Sequence, residues 1–186
     1  FEVKDMLPKI KGKVAYVFDE ADFDTDLICG MDTCTVADPE ILKRVCMQDI
    51  APDFQKYVEP GDVVVCGENF GYGHPHIGGP VGLQEHGISA FIAESFCPGF
   101  YRANTMRGTI LIECPGILNE IKLGEHIEFD WENCQLYLLD SGRTIQCKPM
   151  PEKIIQMIEC GGIMGYIRQV RLQEKRQKKG ETEIRF

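Results

Sequence analysis

The sequence predicts an α/β fold, with a central mixed, mostly parallel sheet followed by a C-terminal β meander and helices. Three observations lead there. Apolar β-branched runs alternate with helical segments between residues 62 and 112, which favours parallel strands joined by helical crossovers. Beyond Pro115, short stretches alternate with a period of two, as half-buried strands do. Finally, 186 residues of which 44% are hydrophobic can bury one sizeable core, so residues 1–186 are expected to form a single domain, with a charged tail from about 171 to 186.

Taken in order, Lys13 to Phe18 alternates into a first strand, and the acidic segment Asp19 to Asp26 is a loop rich in capping and turn residues. Asp38-Pro39 supplies an N-cap and a first-turn proline for a helix through Leu42, Val45 and Cys46; Asp53 to Tyr57 adds a turn or short helix. Pro60-Gly61 turns the chain into the strand Asp62 to Cys66. A helix ending at His86-Gly87 follows, then a strand Ile88 to Ala93, a helix Phe100 to Arg107 closed by Gly108, and a strand Thr109 to Ile112. His126 to Asp130, Gln135 to Leu139 and Thr144 to Cys147 form the meander. Pro151 starts a helix with Ile154, Ile155 and Ile158 inward, and Gly161-Gly162 separates it from an amphipathic segment through Ile163, Tyr166 and Val170.

Charge narrows the function. A net charge of −9 repels polyphosphate and anionic lipid, so neither nucleic acid nor a membrane surface is an expected partner; a protein or a small molecule is. No apolar run approaches the roughly 20 residues of a membrane span, and no secretory leader pattern is visible, so a cytoplasmic setting is expected. The nine cysteines are odd in number and contain no CxxC pair. They read as small buried hydrophobes of a reducing compartment, not as a disulfide framework or a metal site.

Chemistry concentrates where Val63-Val64-Val65-Cys66 gives way to Gly67-Glu68-Asn69-Phe70-Gly71-Tyr72-Gly73-His74-Pro75-His76. Glycines such as Gly71 and Gly73 let backbone approach a ligand, and amides at a following helix start favour a carboxylate or phosphate. His74 and His76 sit at the tip of this segment. Asp24 and Asp26 in the preceding acidic loop suit two roles, orienting a histidine or a substrate hydroxyl, or simply capping a turn.

Several segments, in order, resemble the small subunit of 3-isopropylmalate dehydratase, the swivelling domain of the aconitase family. They are Asp24-Thr25-Asp26, Pro60-Gly61-Asp62, Asn69-Phe70-Gly71 with Gly73, Gly87-Ile88-Ser89-Ala90, Ile92-Ala93-Glu94-Ser95-Phe96, Phe100-Tyr101-Arg102 and Gly161-Gly162. The resemblance implies a β/β/α swivelling fold, a large aconitase-like partner subunit carrying a [4Fe-4S] cluster, and dehydration or hydration of a small hydroxy acid between the two. It implies no cofactor or metal in this chain, and substrate contacts at Asp24, Thr25, Asp26, Gly71, Gly73 and position 76.

Two departures stand out. Family members follow the asparagine-phenylalanine-glycine turn with glycine, two serines and an arginine, the first serine acting as base and the arginine gripping the substrate carboxylate. Here the serines are replaced by His74 and Pro75 and the arginine by His76. Histidine is a capable base near neutral pH, so His74 is the expected catalytic base and His76 the expected anion contact. The stretch Leu27 to Thr33 also lacks the family's proline and arginine-tyrosine-leucine, which opens the choice of hydroxy acid. A non-catalytic carboxylate-binding or regulatory module on the same scaffold is the alternative.

Overall fold

A computed structural model of the chain describes residues 7–33, 35–73 and 76–178. Its strands are β1 (Lys11–Phe18), β2 (Val63–Cys66), β3 (Ala90–Ala93), β4 (Leu111–Glu113), β5 (His126–Asp130), β6 (Gln135–Leu138) and β7 (Arg143–Gln146). Helices are α1 (Pro39–Val45), α2 (Phe54–Tyr57), α3 (Gly78–Glu85), α4 (Pro98–Thr105), α5 (Glu152–Glu159) and α6 (Ile163–Lys178), with 3-10 turns at Thr25–Ile28 and Ile117–Asn119. One seven-stranded sheet runs β4-β3-β2-β1-β5-β6-β7, parallel from β4 to β1 and antiparallel from there on. This is the mixed sheet with a C-terminal meander that the sequence predicts.

Period-two alternation explains why both faces of the parallel half are apolar. Val64, Cys66, Phe91, Ala93 and Leu111 point to one side, where Leu42 of α1, Phe54 of α2, Leu83 of α3 and Phe100 of α4 cover them. Val63, Val65, Ala90, Ile92 and Ile112 point to the other, where the meander supplies Ile127, Phe129, Leu136 and Leu138. The sheet curls over on itself until its two edges meet, and the Lys148 amide donates to the Glu113 carbonyl at 2.8 Å. Two sheet layers and one helical layer result.

β1 serves both halves. Its first three residues pair with β5 and its later ones with β2, and the register slips between Val14 and Tyr16. Ala15 and Tyr16 therefore both face the helical layer, while Val14 and Val17 face the meander. Such a bulge re-aims every later side chain, so Phe18 joins the helix-covered core.

Several expected boundaries move, each for a local reason. The helix expected from Phe100 begins at Pro98, a proline in its first turn, and Gly108 closes it at φ +86. The strand expected from Ile88 begins at Ala90, because Ser89 belongs to the preceding turn: its hydroxyl donates to the Gly61 carbonyl at 2.8 Å. Thr109 is likewise held before its strand, its amide bonded to the Asn104 carbonyl. In α5 only Ile158 is fully inward; Ile154 and Ile155 are half-buried.

Candidate functional site

The four parallel strands end at one edge of the sheet, and the loops leaving β1 and β2 there run alongside each other. That edge is where open α/β sheets gather ligands. The Asp22 amide donates to the Glu68 carbonyl at 2.9 Å, and the Gly71 and Tyr72 amides donate to Phe23 carbonyl oxygen at 3.0 and 3.2 Å. Asp24 lies against Gly73. One step further, the Asp26 carboxylate accepts the His76 amide at 3.1 Å and sits 2.7 Å from His76 Nδ1. The two loops are thus zipped together by contacts of residues 22, 23, 24 and 26 with residues 68, 71, 72, 73 and 76.

The Thr25–Ile28 turn builds the acidic half. Asp24 is its N-cap and accepts the Asp26 amide at 3.0 Å, which turns the Asp26 side chain toward the glycine loop. Both roles open to these aspartates are therefore taken, capping by Asp24 and histidine orientation by Asp26. Asp26 is nearly fully buried, whereas the His76 side chain remains 34% exposed. A carboxylate only accepts, so the contact places the proton on His76 Nδ1 and fixes the ring plane, as carboxylate partners of functional histidines do.

Thr25 is fully buried, and its hydroxyl finds no hydrogen-bond partner among the described residues. Gly71 is also buried, at φ +83, and a Cβ there would overlap the Phe100 ring. Packing alone therefore demands glycine at 71. Gly73, at φ +92, is exposed and beside Asp24. His74 and Pro75 lie outside the described residues, as does Cys34.

Below the loops lies an aromatic floor. Phe70 is fully buried and stacks on Phe23 with ring centroids 5.7 Å apart, while Phe18, Phe91, Phe96 and Phe100 surround it. Burying such a ring contributes roughly 1.5–3 kcal/mol before its neighbours are considered. This floor keeps the loops at fixed height above the strand ends.

Sequence reasoning singled out Asn69 and Ser95 only as parts of motifs and missed Asp22. Asn69 and Asp22 both have positive φ, +53 and +55, and the Asn69 side-chain amide donates to the Asp22 carboxylate at 2.6 Å. The Asn69 amide donates to Ser95 Oγ at 2.8 Å, which ties the loop after β3 to the same assembly. Asn and Asp tolerate the left-handed region better than other side chains, and this was the available signal. Other motif residues are scaffolding. Asp62 accepts the Lys13 and Glu59 amides, and the Glu94 carboxylate accepts the amides of Gly116 and Leu118 at the second 3-10 turn.

Among the described residues, no three His, Cys, Asp or Glu side chains converge as a metal site requires. No helix of the described residues is long and apolar enough to cross a membrane. A surface hollow of about 410 Å³ lined by Glu40, Arg44 and His86 lies at the far end of α3 from His76.

No protein-family model matches the chain. It is, however, 38% identical over 145 residues to the isopropylmalate/citramalate isomerase small subunit of Methanocaldococcus jannaschii, covering 78% of this chain and 86% of that one. It is 34% identical over 160 residues to the 3-isopropylmalate dehydratase small subunit of Halothermothrix orenii, covering 86% and 96%. To the 2,3-dimethylmalate dehydratase small subunit of Eubacterium barkeri it is 33% identical over 159 residues, covering 86% and 96%. A crystal structure of 3-isopropylmalate dehydratase from Methanocaldococcus jannaschii superposes with a TM-score of 0.79 at 31% identity, covering 91% of this chain and 99% of that one.

Proposed function

Because the chain belongs to the 3-isopropylmalate dehydratase small-subunit family, we propose that it is the swivelling subunit of a two-subunit aconitase-family hydro-lyase acting on a small hydroxy acid in the cytoplasm. A large aconitase-like subunit completes the crevice over the loops that leave β1 and β2. The observation that carries this reading is the zipped pair of loops at the carboxyl edge of the sheet, with an imidazole held by Asp26 where the family places its carboxylate grip.

In this reading His74 takes the proton from the carbon beside the substrate carboxylate, and the bond's electrons form the double bond as hydroxyl leaves. His76, held at Nδ1 by Asp26, presents Nε2, which donates to the substrate carboxylate when the ring carries both protons, and Gly73, Asp24 and Thr25 shape the wall beneath. Imidazole offers an anion fewer donors than a guanidinium fork, and the Asp26 carboxylate further offsets its charge. The substrate is accordingly held less by charge than in relatives with arginine. The [4Fe-4S] cluster belongs to the partner and supplies a Lewis acid for the departing hydroxyl.

The same Asp26 contact favours a second reading, a carboxylate-binding module without turnover. Co-expression with a large subunit encoded beside it separates the two. The complex is expected to dehydrate hydroxy acids, the isolated chain to be inactive, and His74→Ala to lower kcat at least ~100-fold. Undiminished turnover after His74→Ala removes the base assignment. Calorimetric binding of carboxylates by a complex that never turns one over supports the module instead.

A further inference from the structure

Four of the nine cysteines meet in one repeated arrangement. The Met47 amide donates to the Ile28 carbonyl at 2.7 Å, one residue outside Cys29 and Cys46. The Lys148 amide donates to the Glu113 carbonyl at 2.8 Å, one residue outside Cys114 and Cys147. The two cysteines just inside each bond are thereby brought alongside one another, and a disulfide needs their Cα atoms within roughly 4.4–6.8 Å. All four side chains are buried, and all four are free thiols. Cys29 and Cys46 sulfurs also converge on the bare face of Gly82, where a Cβ would stand 2.7 and 3.1 Å from them.

We propose that Cys29–Cys46 and Cys114–Cys147 are two disulfide-forming dithiols, closed by exchange with a low-molecular-weight disulfide such as oxidised glutathione. In each pair one cysteine thiolate attacks the external disulfide, forming a mixed disulfide and releasing one small thiol. The second cysteine then attacks the protein-side sulfur and releases the other. Two electrons pass to the external disulfide, and the two cysteine protons end on the two released thiols. Burial keeps the oxidant from the closed fold, so exchange takes place while the chain folds or opens locally.

The two bonds act at different places. Cys29 directly follows the turn that carries Asp26, and its thiol already donates to the carbonyls of Gly78 in α3 and Leu42 in α1. Closing it to Cys46 pins the histidine-orienting turn to α1. The Cys114–Cys147 bond joins the two edges of the curled sheet beside the Lys148–Glu113 ion pair. Among the described residues neither pair has the further ligand that a metal needs.

The test refolds the full chain in glutathione buffers graded from reducing to oxidising, quenches with acid, alkylates under denaturing conditions and maps the peptides. Two bridged peptide pairs are expected, each about 2 Da lighter than its dithiol, while Cys66 and Cys97 remain alkylated. The oxidised chain is expected to melt about 5–10 °C higher per bridge, a gain halved in Cys46→Ser and in Cys147→Ser. Full alkylation of all four in the most oxidising buffer, or bridges scrambled among the nine, overturns the proposal. A Cys134–Cys147 bridge overturns the second pairing alone. None of these readouts depends on hydro-lyase activity.

Discussion

Two histidines in this molecule are held in nearly the same way, one in each half of the sheet, and only one belongs to the candidate site. His76 gives its backbone amide and Nδ1 to Asp26; His126, on β5, gives the same two atoms to Asp140 at 2.8 and 3.0 Å. The Asp26 side chain is 6% exposed and Asp140 53%. Local chemistry is shared, so environment makes the difference. Asp26 is walled in by a second loop, a turn and an aromatic floor at the end of parallel strands, whereas Asp140 stands on a solvated hairpin.

That contrast can be pressed hardest at two glycines with the same φ of +83, Gly71 in the parallel half and Gly124 before the meander. Gly71→Ala drives a methyl into Phe100 as well as straining the backbone, and should cost roughly 3 kcal/mol or more in urea melts. Gly124→Ala meets open space and should cost only about 1 kcal/mol. Equal losses would mean that the site's floor is softer than its packing implies.

Next in size comes the pair of aspartates. Asp26→Ala removes the carboxylate that accepts the half-buried His76 amide and contacts its ring, with an expected loss of about 1–2 kcal/mol. In the assembled enzyme, kcat/KM should fall about 10–100-fold, as when the carboxylate partner of a functional histidine is removed. Asp140→Ala should lower the melting temperature at neutral pH only slightly and leave the kinetics unchanged within error. A kinetic effect at Asp140 would move the site toward the meander.

The smallest effect concerns pH. Glu159 at the end of α5 has one carboxylate oxygen shielded without a hydrogen-bond partner among the described residues, and burial raises its pKa. A raised carboxyl contributes stability below its ordinary pKa and loses it as pH rises through the raised value. Glu159→Gln should therefore raise the melting temperature slightly at pH 7 and leave it unchanged in acid. Asp140 has the opposite sign: the His126 amide and then its ring hold the carboxyl below the usual range. Its contribution persists at neutral pH and fades only as pH falls through that lowered value.

Much of the fold was legible from residue pattern, because strands buried on two faces read as Val63-Val64-Val65 and meander strands read as alternation at Gln135 to Leu138. The Asp38-Pro39 start and the Gly108 stop were equally local. The candidate site was legible in part. Asp26 and His76 were both singled out, but fifty residues separate them in sequence, and nothing local states that their atoms lie 2.7 Å apart. The Asp22–Asn69–Ser95 link was missed for the same reason.

By itself the sequence determined the element types, the family and the loops in which chemistry collects, since period, caps and turns are properties of neighbouring residues. Which aspartate caps and which grips, why position 71 must be glycine, and which cysteines face each other were decided only when the sheet curled and two loops closed side by side. Those are contacts between distant segments, selected by the packing of the whole core.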